Sequence, residues 1–126
     1  MTSRCVLIID DDPSLSRVIE LSLAPWGDVV FRYALNGWQG MQVAAANPPD
    51  LILLDFQMPV MDGLETLRHL RATQCTAHTP IVAITGAQRA LPRCAEMIDN
   101  CDGYVPKPFA LNALRRAVRP FLDSAD

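Results

Sequence analysis

The sequence predicts an α/β domain built on one doubly wound parallel sheet, and three observations lead there. Strand-like and helix-like segments alternate along the whole chain with short loops between them, the pattern of βα units rather than of a bundle or a sandwich. The run Leu51-Ile52-Leu53-Leu54 is uniformly aliphatic, as a strand covered by helices on both faces requires. That run ends on Asp55. An acid has no structural use at the last position of a central strand, whereas the carboxyl ends of parallel strands are where such sheets place ligands. Taken alone, Asp55 reads equally well as the residue that opens the next loop.

Each element has its own local reason. Cys5-Val6-Leu7-Ile8-Ile9 is strand-like and is interrupted by Asp10-Asp11-Asp12-Pro13; Asp12 is suited to an N-cap and Pro13 to the first helical position. A helix is expected from Pro13 to about Ala24, with Leu15, Val18, Ile19 and Leu23 at helical spacing, ended by Pro25-Trp26-Gly27. Asp28 to Tyr33 suits a strand near the sheet edge. Asn36-Gly37 opens a second helix to about Ala46, with Trp38, Met41, Ala44 and Ala45 as its apolar set and Asn47-Pro48-Pro49 as its stop. After the central strand, Asp62 caps a helix to about Thr73 that carries Leu64, Leu67 and Leu70 opposite Glu65, Arg68 and Arg71. Pro80 to Thr85 is the fourth strand, and Gly86 lets the chain turn. The fourth helix, about Leu91 to Asn100, has the least distinct signal, because Gln88 to Pro92 mixes cues. Tyr104-Val105-Pro106 is a short fifth strand after Asp102-Gly103, and Ala110 to Arg119 is the last helix, with Leu111, Leu114, Val118 and then Phe121 directed inward.

Composition bounds the function. A chain of 126 residues, half of them hydrophobic, is expected to be one domain over 1–126 with a core large enough to stand without staples. A net charge of -3 argues against direct nucleic-acid binding, which needs a concentrated basic face. The longest apolar run is far short of a membrane span, and Met1-Thr2-Ser3-Arg4 leads too quickly into acids for a secretory signal, so a cytoplasmic location is expected. Cys5, Cys75, Cys94 and Cys101 form no C-x-x-C pair; thiols are the expectation, and Cys75 with His78 lacks the second pair a zinc site would need.

Five strands alternating with five helices favour the flavodoxin-like order 2-1-3-4-5, whose switch point lies between the first and third strands. That topology places Asp10 and Asp11 beside Asp55, and Thr85 and Lys107 on the same rim. Three close carboxylates repel one another, so a positive charge must sit among them. An all-oxygen set without His or Cys favours a hard cation such as Mg²⁺. Lys107 offers a point charge for an anion and Thr85 a hydroxyl. An aspartate nucleophile, a metal, a lysine and a threonine together make an aspartyl-phosphate site.

The chain resembles the receiver domains of two-component response regulators almost from end to end. The resemblance is carried by Ile8-Ile9-Asp10-Asp11-Asp12-Pro13, by Asp50-Leu51-Ile52-Leu53-Leu54-Asp55 and by Met58-Pro59-Val60-Met61-Asp62-Gly63, together with Ile84-Thr85-Gly86 and Tyr104-Val105-Pro106-Lys107-Pro108-Phe109. Each motif alone is weak, and five in the right order are highly specific. The resemblance implies that Asp55 accepts a phosphoryl group from a phosphohistidine on a sensor histidine kinase or a histidine phosphotransfer protein. It implies that Asp10, Asp11, Asp55 and the main-chain carbonyl of Gln57 hold Mg²⁺, with Asp11 the more direct ligand, and that Thr85 and Lys107 take phosphoryl oxygens. It also implies a cis Lys107-Pro108 peptide, and a switch in which Thr85 moves toward the phosphoryl group and Tyr104 turns into the vacated space. That switch alters the face made by the fourth helix, fifth strand and fifth helix, where a downstream target, an output domain or a second copy docks. Gly86 meets the need for a small residue beside the phosphoryl group, and Gln57 and Ala87 tune its hydrolysis. On this reading the protein is not an enzyme but a phosphoacceptor switch that assists its own phosphorylation and dephosphorylation. No output module follows the last helix in this sequence, so a stand-alone receiver and a receiver drawn from a longer regulator or hybrid kinase are the expected contexts.

Two other readings compete. A small haloacid-dehalogenase-like phosphatase would use Asp10 and Asp12 as nucleophile and acid, but that chemistry needs further acids after the lysine, where only Asp123 and Asp126 remain. A phosphorylation-independent adaptor of the same fold is disfavoured by the complete acid, Thr and Lys set. Several residues have plainer expectations. Asp12 is read as a helix cap, Trp26 and Trp38 as packing residues, and Arg115, Arg116 and Arg119 as a solvated face before a docking patch.

Overall fold

The chain was analysed as a computed structural model that describes residues 3–87 and 90–123. Its elements are β1 (Arg4–Ile9), α1 (Ser16–Ser22), β2 (Val29–Ala34), α2 (Gly37–Ala46), β3 (Leu51–Leu54), α3 (Gly63–Ala72), β4 (Ile81–Thr85), α4 (Pro92–Asp99), β5 (Gly103–Pro106) and α5 (Leu111–Leu122). The five strands are parallel in the order β2-β1-β3-β4-β5, as the sequence predicts. Residues of β1 and β3 alternate between two cores. Leu7, Ile9, Ile52 and Leu54 face α2, α3 and α4, while Val6, Ile8, Leu51 and Leu53 face α1 and α5. Hence the unbroken aliphatic runs: both pleat faces are dry, and each buried aliphatic side chain contributes about 1.5–3 kcal/mol of transfer free energy.

Register delivers the acids to one place. Ile9 pairs with Leu54, so Asp10 and Asp55 leave adjacent strands side by side, and the Asp55 N–H donates to the Ile9 carbonyl at 3.0 Å. Across the sheet Thr85 pairs with Pro106, which puts Lys107 one residue beyond Thr85 on the same rim.

Four local expectations are corrected. The first helix is divided: a single 3-10 turn spans Pro13–Leu15, the α-helix proper is Ser16–Ser22, and a second 3-10 turn spans Ala24–Trp26. Pro25 has no N–H to continue an α ladder, so the end tightens into a 3-10 turn. The last helix does not stop at Arg119 but runs through Pro120 to Leu122. Pro120 lies in the final turn, where it forfeits one ladder bond, and burial of Leu122 outweighs the loss. At the other end of that helix Leu111 is 38% exposed rather than inward. In α2 the buried stripe is Gly37, Gly40 and Ala44, so Trp38 is turned out, 52% exposed, and Ala45 is exposed as well. A Cβ at Gly40 would lie 2.4 Å from Ile9 Cδ1; the helix sits that close to β1, and only small residues fit its inner face. Trp26 does pack, against the α1–α5 core.

Candidate functional site

The carboxyl end of the sheet collects the charged groups. One carboxylate oxygen from each of Asp10, Asp11 and Asp55 lies within 4.8 Å of the other two, and among the described residues no other three or more His, Cys, Asp or Glu come together in this way. Lys107 Nζ lies 2.7 Å from Asp10 Oδ2 and 3.8 Å from Asp55 Oδ2, so one ammonium bridges two acids. Asp55 is 7% exposed. Burial, and after it the neighbouring Asp10 charge, push its carboxyl up to about 6, while Lys107, the Thr85 hydroxyl and the Phe56 N–H oppose the rise. Three acids against one ammonium leave an excess of negative charge at the rim, with Asp55 buried and Asp11 exposed to solvent.

The chain between Asp55 and α3 is held in a defined path. Asp55 Oδ1 accepts the Phe56 N–H at 2.8 Å, and the Phe56 carbonyl accepts the Gly63 N–H at 2.8 Å. A Cβ at Gly63 would lie 2.4 Å from the Asp55 carbonyl oxygen and 2.6 Å from Met97 Sδ, so only glycine lets α3 start against the Asp55 backbone. Within the loop the Met61 N–H donates to the Pro59 carbonyl at 2.8 Å around Val60 at φ 71°. This is a γ-turn of the strained hand, and it is centred on a β-branched residue that is 85% exposed.

The response regulator receiver domain family matches residues 6–119. The chain belongs to that family. Among curated relatives, it is 32% identical over 96% of its length to the dual master transcriptional regulator RpaA of Synechocystis, and 36% identical over 93% to the response regulator MprA of a Mycobacterium. It spans 50% of each of those relatives. Among solved structures, the receiver domain of sensor histidine kinase PA1611 from Pseudomonas aeruginosa, determined with magnesium in its active-site cleft, matches 98% of this chain and all of its own at TM-score 0.83 and 27% identity. A response regulator of Chloroflexus aurantiacus matches 97% of this chain and 99% of its own at TM-score 0.83 and 28% identity. Receiver domains are signalling switches, and response regulators take phosphate from histidine kinases.

The receiver brings together most of the residues singled out in its sequence. Asp10, Asp11, Asp55 and Lys107 converge, Thr85 is buried beside Asp55, and the Lys107-Pro108 peptide is cis. Tyr104 is half-buried on β5 at the edge of the core packed by α2, α3 and α4. Asp12 stays outside the acid cluster and accepts the Ser14 N–H at 3.0 Å, as a cap does. A dehalogenase-like site built on Asp10 and Asp12 is not favoured. Asp123 lies at the end of α5, where it accepts the Trp26 indole N–H at 2.6 Å, and Asp126 lies outside the described residues. Gln88 lies outside them as well.

Some roles were missed from the sequence. Arg115 is not a solvated side chain: its guanidinium donates to the Ser22 carbonyl at 2.8 Å and the Leu21 carbonyl at 3.3 Å, closing the open C-terminal end of α1. Arg116 and Arg119 remain exposed. Asp62 caps α3 as expected, accepting the Glu65 N–H at 2.9 Å. It also receives both Nε and Nη2 of Arg93 from α4, at 2.7 and 2.9 Å. No sequence pattern links Asp62 to Arg93, because the two lie on different helices.

Proposed function

We propose that residues 1–126 form one receiver whose Asp55 accepts a phosphoryl group from a phosphohistidine on a sensor kinase or histidine phosphotransfer protein. The observation that carries this reading is the closeness of the Asp10, Asp11 and Asp55 oxygens, all within 4.8 Å, with a single lysine bridging two of them. The donor set is wholly oxygen and over-supplied with negative charge, which fits a hard divalent ion. Asp10, Asp11, Asp55 and the Gln57 carbonyl would hold Mg²⁺. When bound it neutralises the incoming phosphoryl oxygens.

The remaining work falls to the chain's own residues. An Asp55 oxygen attacks phosphorus, the O–P bond forms as the P–N bond breaks, and the imidazole, already protonated on its other ring nitrogen, takes the P–N electron pair and leaves as the neutral ring. Lys107, held at rest by Asp10, swings to a phosphoryl oxygen as its carboxylate partner is taken over. Thr85 gives its hydroxyl to another. In doing so it leaves space at the end of β4, and Tyr104, half-buried one strand away, turns toward it and changes the surface of α4, β5 and α5. A downstream target, an output domain or a second receiver would read that surface. The chain acts as a switch in the cytoplasm that assists its own phosphorylation and hydrolysis, with Gln57 and Ala87 setting the rate.

Phosphoramidate with Mg²⁺ tests the reading. Wild-type protein should take up one acyl phosphate that Asp55→Asn abolishes. Label that survives in Asp55→Asn and disappears in Asp10→Asn would overturn the assignment in favour of phosphatase-type chemistry.

A further inference from the structure

A second line of contacts runs from the phosphoacceptor to α4, separate from Thr85 and Tyr104. Asp55 is bonded to the Phe56 N–H, and the Phe56 carbonyl to the Gly63 N–H at the head of α3. Gly63 is pressed against both the Asp55 carbonyl and Met97 of α4. The preceding residue, Asp62, is gripped by the Arg93 guanidinium through two hydrogen bonds, at 2.7 and 2.9 Å. Hydrogen bonding from the Arg93 guanidinium, with the Glu65 N–H and the Arg93 charge adding to it, holds the Asp62 carboxyl below the usual carboxylate range. One turn further on, Arg68 of α3 pairs with Glu96 of α4. The two helices are thus cross-braced by ion pairs, and the first brace stands beside the phosphoacceptor loop.

We propose that the Asp62–Arg93 clasp is a restraint that couples α4 to the phosphoacceptor loop and holds α4 in its resting position. The geometry explains why this pair and not Arg68–Glu96 should matter. A bidentate guanidinium–carboxylate pair fixes orientation as well as distance, and Asp62 is itself fixed as the cap of α3. Any displacement of α4 relative to α3 must stretch two parallel hydrogen bonds at once. Arg93 touches none of the reacting groups; it is a positioning residue that acts through Asp62.

This inference rests on the phosphoacceptor reading, and one experiment keeps the two apart. Beryllofluoride with Mg²⁺ is titrated into wild type, Asp62→Asn, Arg93→Gln and the double variant, and the switched fraction is followed by the amide NMR signals of Tyr104 and Val105. Asparagine caps a helix as well as aspartate does, so Asp62→Asn removes the ion pair and keeps α3. Each single variant should respond at about three- to fivefold lower beryllofluoride, the upper part of what an exposed ion pair supplies, as its bidentate geometry warrants. The double variant should match the singles rather than multiply them. Mg²⁺ affinity in the absence of beryllofluoride should be unchanged. A wild type that does not respond overturns the phosphoacceptor reading itself. A responding wild type with unshifted variants, with multiplicative effects, or with altered Mg²⁺ affinity overturns the clasp alone.

Discussion

Acids stand at both ends of this sheet, and they do different things. At the amino end Asp50 precedes β3 and accepts the Cys5 N–H at 2.7 Å, while Asp102 precedes β5 and accepts the Ile81 N–H at 2.9 Å and Arg71 Nη2 at 2.9 Å. Each of these carboxylates has its own donors and ties one strand to its neighbour. At the carboxyl end Asp10, Asp11 and Asp55 cluster together, and one lysine reaches Asp10 and Asp55. The residue type is the same and the placement at strand ends is similar. What separates the two sets is the balance of donors to charge: each acid of the first is matched by donors of its own, and the second gathers three carboxylates around one ammonium.

The contrast can be broken or sharpened by substitution. The largest effect is expected for Asp11→Ala, which should remove detectable Mg²⁺ binding in a fluorescence or calorimetric titration while leaving the fold intact; an unchanged titration would dissolve the distinction. Next comes the pH response of Asp55. Folding raises its carboxyl from the ordinary 3.8 to about 6, so the folded chain binds this proton more tightly than the unfolded chain. Stability contributed by the neutral form is therefore complete below about pH 4 and is lost as the pH climbs through about 6. In metal-free buffer Asp55→Asn should consequently gain on the order of 2 kcal/mol over wild type above about pH 7, and nothing below about pH 4, by urea unfolding. The smallest effect is expected at the amino end. Asp102→Ala should lower stability by about 1–2 kcal/mol through the lost Ile81 and Arg71 bonds, with Mg²⁺ affinity unmoved. A fall in Mg²⁺ affinity there would mean that the two ends are not independent.

The sheet and its chemical rim were legible because both are written in short runs. Uniform aliphatic stretches specify strands buried on two faces, and a polar residue after each of β1, β3 and β5, or ending β4, becomes a cluster once the strand order is known. Contacts between helices left no such mark. Arg115 and Ser22 stand far apart in the chain, and nothing near either predicts that a guanidinium closes the end of α1. Trp38 misled in an instructive way: hydrophobicity suggested an inward ring, but the buried face of α2 is Gly37, Gly40 and Ala44, with Gly37 close against Thr66 and Met61 and Gly40 close against Ile9. The end expected at Arg119 fell short similarly, since the Pro120 ring forbids one hydrogen bond but not a final turn anchored by Leu122. Local rules weigh propensity, and close packing overruled it in both places.

The Trp26 indole, tied to Asp123 across most of the chain's length, has a practical corollary. This protein carries only two tryptophans, and the other, Trp38, lies open beside His69 with ring centroids 6.3 Å apart. One fluorophore is thus fastened to the tail of the final helix and the other sits on the opposite layer. Replacing either with phenylalanine leaves a native, label-free optical gauge for a single side of the molecule, so how far a signal spreads from the acid pocket can be followed layer by layer.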